Sequence, residues 1–207
     1  MALVKDNVLV IKGVNFSEAD RIITVFGSKR GRFALIAKGV RKIESKNRPS
    51  VQTLSISSIT YYEGRNLGSL IEASLEFAPI LDHQQVKEIS KVLLMINKML
   101  PEDEPETEVY TRLVALVHGD VSRRAVNKFR MWLLEYLGYL PDMRKCTKCN
   151  SNKELKFINI ANLQMFCSNC ATELMLGSTL HPVSDVRYES DLMDTALERV
   201  VMEIIES

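Results

Sequence analysis

Four cysteines stand in two identical pairs, Cys146 with Cys149 and, after seventeen intervening residues, Cys167 with Cys170. Each C-x2-C places two thiolates on a tight knuckle. Two knuckles brought together by a hairpin supply the four soft ligands of a closed tetrahedral zinc site, with no position left for substrate. Two alternatives are a thioredoxin-like redox pair and two accidental pairs. The redox motif calls for a single C-x-x-C after a strand in an α/β context, and no such context surrounds these pairs. One structural zinc ion per chain is therefore expected on Cys146, Cys149, Cys167 and Cys170. The apolar stretches at 155–158 and 163–166 supply the two strands of a zinc ribbon over residues 145–172.

A second constellation is electrostatic. Residues 29–48 hold Lys29, Arg30, Arg32, Lys38, Arg41, Lys42, Lys46 and Arg48, with Glu44 the only acid, a net of +7. Such clusters meet phosphate backbones, Arg as a bidentate fork and Lys as a point charge. The competing account is a solvated loop whose charges aid solubility. Phe33, Tyr61 and Tyr62 offer aromatic faces nearby, as on single-strand-binding barrels. Phe33 and Tyr61 fall in core phase, which leaves Tyr62 as the exposed candidate.

Other chemistry is sparse. No P-loop and no GxSxG occurs, and His83, His118 and His181 are scattered without partners at a catalytic spacing. No enzyme is expected.

The 207 residues carry a formal net charge of +1, with 46% hydrophobic and 26% charged residues. That composition excludes disorder throughout and allows one or two domains. The charge is uneven: residues 1–80 carry a net of +5 and residues 81–207 a net of −4. A basic first third on a near-neutral chain points to a local anionic partner. The sequence contains neither a signal-peptide pattern nor an apolar run of membrane-spanning length, so a cytoplasmic protein is expected.

The elements that position these residues change character near Pro79. Before it, strands are expected at 8–11, 21–26, 33–37, 51–62 and from 67 onward. Leu54 and Ile56 are out of phase with Ile59 and Tyr61, which places a β-bulge across Ser57 and Ser58. From 67 the apolar residues Leu67, Ile71, Ala73, Leu75 and Phe77 occupy odd positions, which predicts one buried and one wet face. Five strands without a helix among them fit a closed OB-type barrel, although an SH3-like barrel or a sandwich piece has a similar pattern. After Pro79 the spacing is helical: Val86, Ile89, Leu93, Ile96 and Leu100; then, past an acidic connector at 101–105, Val109, Leu113, Leu116 and Val117. A third helix, capped by Asp120 or Ser122, aligns Val126, Phe129, Leu133, Tyr136 and Leu137. A last helix is expected near 189–206. The fold class is thus α+β and multidomain: a five-stranded OB-type barrel over 1–80, then an α-helical domain over 81–207 with an inserted four-cysteine zinc ribbon.

This arrangement resembles the bacterial RecO family of DNA repair and recombination mediators. Glu18, Ala19 and Asp20 resemble the family's E-x-D, and Ala37, Lys38, Gly39, Val40 and Arg41 its A-K-G-x-R. The run FRMWLLEYLGYLP at 129–141, leading into Cys146, resembles its third-helix signature. The likeness covers roughly residues 1–185; residues 82–105 match weakly and the segment after Cys170 is short for the family. The resemblance implies binding of single- and double-stranded DNA and annealing of complementary strands. It also implies partnership with RecR and with the C-terminal tail of single-stranded DNA-binding protein, so that RecA loads on coated gaps. Arg123, Arg124, Lys128 and Arg130 are the basic residues nearest the third helix's apolar stripe, and so the candidates for that tail. The alternatives are a zinc-ribbon and OB-fold transcription or translation factor without annealing activity, and a nuclease or hydrolase, against which the lack of an acidic metal cluster speaks.

Overall fold

The computed structural model describes residues 3–64, 67–174 and 180–207. The chain forms two compact units, Met1–Val121 and Ser122–Ser207. Strand gives way to helix at Pro79, whereas the compact units divide after Val121, so the first two helices belong with the barrel.

In the first unit, β1 (Leu3–Phe16), β2 (Asp20–Gly27), β3 (Gly31–Ala37), β4 (Ile56–Tyr62) and β5 (Gly68–Phe77) close a barrel in the order β1-β2-β3-β5-β4. Only the β3–β5 pairing is parallel. This is the five-stranded OB barrel expected from the pattern. β1 is longer than the apolar run at 8–11 implies, because it serves two neighbours. Its first half pairs with β4 from Leu3 to Leu9, and its second half pairs with β2 from Val8 to Phe16. A register shift between Val10 and Lys12 bends the strand from one neighbour to the other. The barrel interior is filled by alternating residues: Val8 and Val10, Ile23 and Val25, then Phe33, Leu35 and Ala37.

Three sequence expectations change here. Residues 51–54 are not strand: Pro49–Val51 is a single 3-10 turn, and Leu54 takes a positive φ of 72° before β4 begins. The bulge expected across Ser57 and Ser58 lies one step earlier, between Ile56 and Ser57, and a second lies between Thr60 and Tyr61. That second shift resets β5. Thr60 faces Glu72 and Tyr61 faces Leu70, so Ile71 is skipped. Gly68, Leu70 and Ala73 turn inward, while Ile71 is 48% exposed and Leu75 40%. Between β4 and β5, residues 65 and 66 lie outside the described residues.

Helix α1 (His83–Met99) opens on a capping box. The Asp82 side chain accepts from the Gln85 N–H at 2.8 Å, and the Gln85 side chain accepts from the Asp82 N–H at 3.0 Å. Its buried stripe is Ile89, Val92, Leu93, Met95 and Ile96, and Val86 stays exposed. Helix α2 (Thr107–His118) buries Val109, Leu113 and Val117, and its Tyr110 ring lies 6.2 Å from Phe26 of β2.

The second unit begins with α3 (Arg123–Tyr136), capped by the Ser122 hydroxyl, which accepts from Ala125 N–H. β6 (Leu155–Asn159) and β7 (Gln164–Cys167) form the expected hairpin. Asn159 Oδ1 accepts from Ala161 N–H at 2.9 Å inside its turn. A third strand not anticipated, β8 (Leu180–Pro182), adds to the other edge of β6. The short helix α4 (Ser168–Leu174) follows β7 directly, and α5 (Asp191–Glu206), capped by Ser190, ends the chain. No helix among the described residues is long and apolar enough to cross a membrane.

Candidate metal centre and nucleic-acid interface

The two knuckles come together. The four cysteine sulfurs all lie within 4.8 Å of one another, and none is in a disulfide. Tetrahedral M–S bonds of about 2.3 Å set sulfurs about 3.8 Å apart. Cys149 Sγ and Cys167 Sγ are 3.8 Å apart. The donor set therefore fits a soft, four-coordinate divalent metal with no open position. Backbone geometry prepares it. The Asn150 N–H donates to the Cys146 carbonyl at 2.8 Å, with Asn150 at φ 58°, which wraps the first knuckle. The Thr147 N–H donates to the Met165 carbonyl at 2.8 Å, which ties that knuckle to β7. The second knuckle runs from the end of β7 into α4, placing Cys170 in that helix's first turn. Burial opposes ionisation of Cys146, but the N–H groups of Cys167, Cys149 and Lys148 outweigh it and hold the thiol down at about 6. Burial pushes the Cys170 thiol up to about 12, and the three neighbouring sulfurs add to the rise. Phe166 and Ala171 pack with Cys146, Cys167 and Cys170 in one small core, so the cysteine cluster and the hairpin share their support.

The basic segment divides in two. Arg30 and Arg32 sit at the β2–β3 turn and are held by the acidic connector. Arg30 Nε donates to Asp103 Oδ1 at 2.6 Å, and Arg32 Nη1 donates to Glu102 Oε1 at 2.9 Å. The Asp103 N–H donates to the Arg32 carbonyl at 2.9 Å. Gly31 permits this approach: its φ is +72°, and a Cβ there would lie 1.8 Å from the Glu104 carbonyl oxygen. Lys29 is exposed, its Nζ donating to the Lys5 carbonyl at 3.0 Å. Among the described residues, the opposite end of the segment has no such acidic cover. Lys38, Arg41, Lys42, Lys46 and Arg48 are all exposed on the β3–β4 loop, with Glu44 their only acidic neighbour in sequence.

That loop is held to the barrel at several points. Asp20 Oδ1 accepts from Gly39 N–H at 2.8 Å, and the Arg41 N–H donates to the Ala19 carbonyl at 2.9 Å. Asn47 Oδ1 accepts from Ala73 N–H at 3.1 Å, and Val40 and Val51 sit in the barrel core. The acid of E-x-D and the glycine of A-K-G-x-R thus meet, which fixes Lys38 and Arg41 on either side. Of the aromatic candidates, Tyr61 is fully buried with its ring 5.1 Å from Phe33, and burial raises its phenol. Tyr62 is 41% exposed.

The four basic residues on α3 do not form one surface. Arg124 and Lys128 are exposed, Lys128 Nζ lying 5.8 Å from the Tyr188 ring centroid. Arg123 is ion-paired to Asp191. Arg130 does not lie with them: it is 1% exposed, and its Nη1 donates to Asp194 Oδ1 at 2.7 Å and to Asn127 Oδ1 at 2.9 Å. A pocket of 320 Å³ beside Arg124 is walled by Val183, Val186, Arg187, Tyr188 and Glu189.

Sequence reasoning missed Arg21. It projects from β2 beside Gly13 and lines a pocket of 270 Å³ together with Arg41 and Arg48. Its only sequence signal is its place directly after Asp20.

Comparison with known proteins divides the chain where strand gives way to helix, and not after Val121. The family profile described as "Recombination protein O N terminal" matches residues 1–77, and "Recombination protein O C terminal" matches residues 90–181. Among curated relatives, a DNA repair protein RecO of Desulforamulus reducens is 27% identical over 83% of this chain and 70% of its own length. That of Heliobacterium modesticaldum is 30% identical over 75% of this chain and 59% of its own. That of Clostridium acetobutylicum is 25% identical over 97% of this chain and 85% of its own. A closed five-stranded barrel, a helical second unit with clustered cysteines, and both profiles in order along the chain lead to one conclusion: the chain belongs to the RecO family.

Proposed function

We propose that this protein is a recombination mediator that binds single- and double-stranded DNA and anneals complementary strands without covalent chemistry. The observation that carries the reading is the β3–β4 loop. Five exposed cations, Lys38, Arg41, Lys42, Lys46 and Arg48, project from an OB barrel that anchors the loop through Asp20 and Asn47. Annealing needs two mutually repelling strands neutralised while their base edges stay free. Lys and Arg directed at phosphates do this without reading sequence. Family membership supports partnership with RecR, and RecA loading as the outcome, in the cytoplasm. The cysteine centre takes one zinc ion as a structural element, its binding energy serving as folding energy for the ribbon.

The acidic, apolar-ended tail of single-stranded DNA-binding protein fits the second unit's pocket, where Arg124 and Arg187 stand beside Val183 and Val186. The test of the whole reading is fluorescence annealing of two complementary oligonucleotides with purified protein and no nucleotide. Acceleration over the spontaneous rate is expected. A protein that binds these strands without accelerating pairing would instead fit a zinc-ribbon transcription or translation factor.

A further inference from the structure

The β3–β4 loop meets the barrel at a pocket of 270 Å³ whose polar wall is Arg21, Arg41, Arg48, Asn15 and Gln52. No carboxylate among the described residues lines it. Three guanidiniums share the space, and the protein holds two of them from behind. Arg41 Nη1 donates to the Ser17 carbonyl at 2.8 Å. Arg21 Nη1 donates to Gln52 Oε1 at 3.1 Å, while Gln52 Nε2 donates to the Arg48 carbonyl at 2.7 Å. Gln52 thereby links Arg21 to the Arg48 backbone. Gly13 makes room for the arrangement: a Cβ there would lie 2.3 Å from Arg21 Nε. That Nε is buried and has no hydrogen-bond partner among the described residues. A buried donor without an acceptor is destabilising, and like charges gathered without a counterion add to the cost. A tetrahedral oxyanion relieves both, and forked guanidiniums match its geometry.

We propose that Arg21, Arg41 and Arg48 form a seat for one phosphate group, with Arg21 as its fixed floor and Gly13 as the space that admits the Arg21 guanidinium. The seat deepens the DNA-binding reading, on which it rests for the source of the phosphate. That source is an internal phosphodiester or a strand's terminal phosphate, and the same chemistry serves both.

The test measures binding of a 20-nucleotide oligo-dT, with a 5′-hydroxyl or a 5′-phosphate, to wild type, Arg21→Gln and Gly13→Ala. Gly13→Ala keeps every charge and only displaces the Arg21 guanidinium. Affinity is expected to fall about tenfold or more in both variants, and the salt slope of Arg21→Gln to flatten by about 0.7, the contribution of one single-strand phosphate. Loss with both oligonucleotides assigns the seat to an internal phosphodiester; loss only with the phosphorylated one assigns it to a terminus. In parallel, inorganic phosphate is titrated while the arginine Nε–H resonances are followed. The Arg21 Nε–H signal is expected to shift in wild type and not in Gly13→Ala. Wild-type DNA affinity in both variants, with no Arg21 response to phosphate, overturns the seat and leaves DNA binding by the loop intact. A wild-type protein that binds no DNA but shows the Arg21 response overturns the DNA reading and keeps the seat.

Discussion

Arg130 is buried on α3, 2.7 Å from Asp194 of α5, with side-chain exposures of 2% and 13%. At that separation the attraction is about 6 kcal/mol for an effective dielectric constant of about 20. Much of it offsets the cost of taking both charges out of water, so the pair's net worth is far smaller than that figure. Removing one partner is another matter. Arg130→Met takes the Arg130 cation away from a carboxylate that solvent barely reaches and removes the Asn127 Oδ1 donor, at a cost of about 3–5 kcal/mol. The double variant Arg130→Met/Asp194→Leu replaces both charges by apolar groups and should recover most of that loss. The assay is urea unfolding of the full chain followed by Trp132, the only tryptophan, which lies on α3 with its ring 5.5 Å from Phe129 and 5.2 Å from Tyr136. With a slope of about 1–3 kcal/mol per molar urea, the midpoint should fall by more than about 1 M in the single variant. A midpoint within the range of ordinary surface substitutions, about 0.5 kcal/mol, would refute the assignment and return Arg130 to the surface beside Arg124 and Lys128.

Three further outcomes are expected. Elemental analysis of reduced wild type should find one zinc per chain, and Cys146→Ser or Cys167→Ser should lose it and melt the β6–β7 hairpin while DNA binding by the barrel persists; zinc-free, fully folded wild type would contradict this. Tyr110 is pushed up to about 12 by burial, with Asp6 and Glu76 adding to the effect. Because its neutral form is the one the fold favours, its stabilisation is complete below about pH 10 and is lost as pH rises through about 12; an ultraviolet titration in which all six tyrosines ionise together near pH 10 would contradict it. Gly31→Ala should destabilise the first unit by at least about 1–2 kcal/mol, since it forces a side chain into left-handed backbone and against the Glu104 carbonyl; unchanged thermal stability would mean the connector does not pack there.

What could be read from the sequence was what depends on residue identity. A four-thiolate cluster demands cysteine at fixed spacing, so the gathering of Cys146, Cys149, Cys167 and Cys170 was legible, and the barrel followed from strand-length patterns such as Phe33, Leu35 and Ala37. Register was harder. The odd positions from Leu67 to Phe77 looked like one face because alternation assumes an unbroken ladder, and the shift opposite Ile71 breaks it. Charge alone also misleads about exposure. Arg130 falls four residues after Val126 and three before Leu133, inside the stripe that buries them both, so its burial was readable once spacing was weighed above polarity. Arg30 and Arg32 carried no comparable signal, because their acidic partners lie some seventy residues away. The Arg21 seat depends on Gly13 across the β1–β2 ladder, a proximity that no spacing rule connects.

In the proposed function, the β3–β4 loop is where this protein meets DNA. The most direct measurement is the salt dependence of single-strand affinity in wild type and in the triple variant Lys38→Ala/Arg41→Ala/Lys42→Ala, with zinc content and folding verified. If the loop neutralises about four phosphates, the wild-type slope of log affinity against log salt is about −3. The triple variant should bind every sequence more weakly to a similar degree, flatten that slope to about −1, and lose annealing in step with binding. A folded triple variant with the wild-type slope and annealing rate would contradict the account and move the DNA site off this loop.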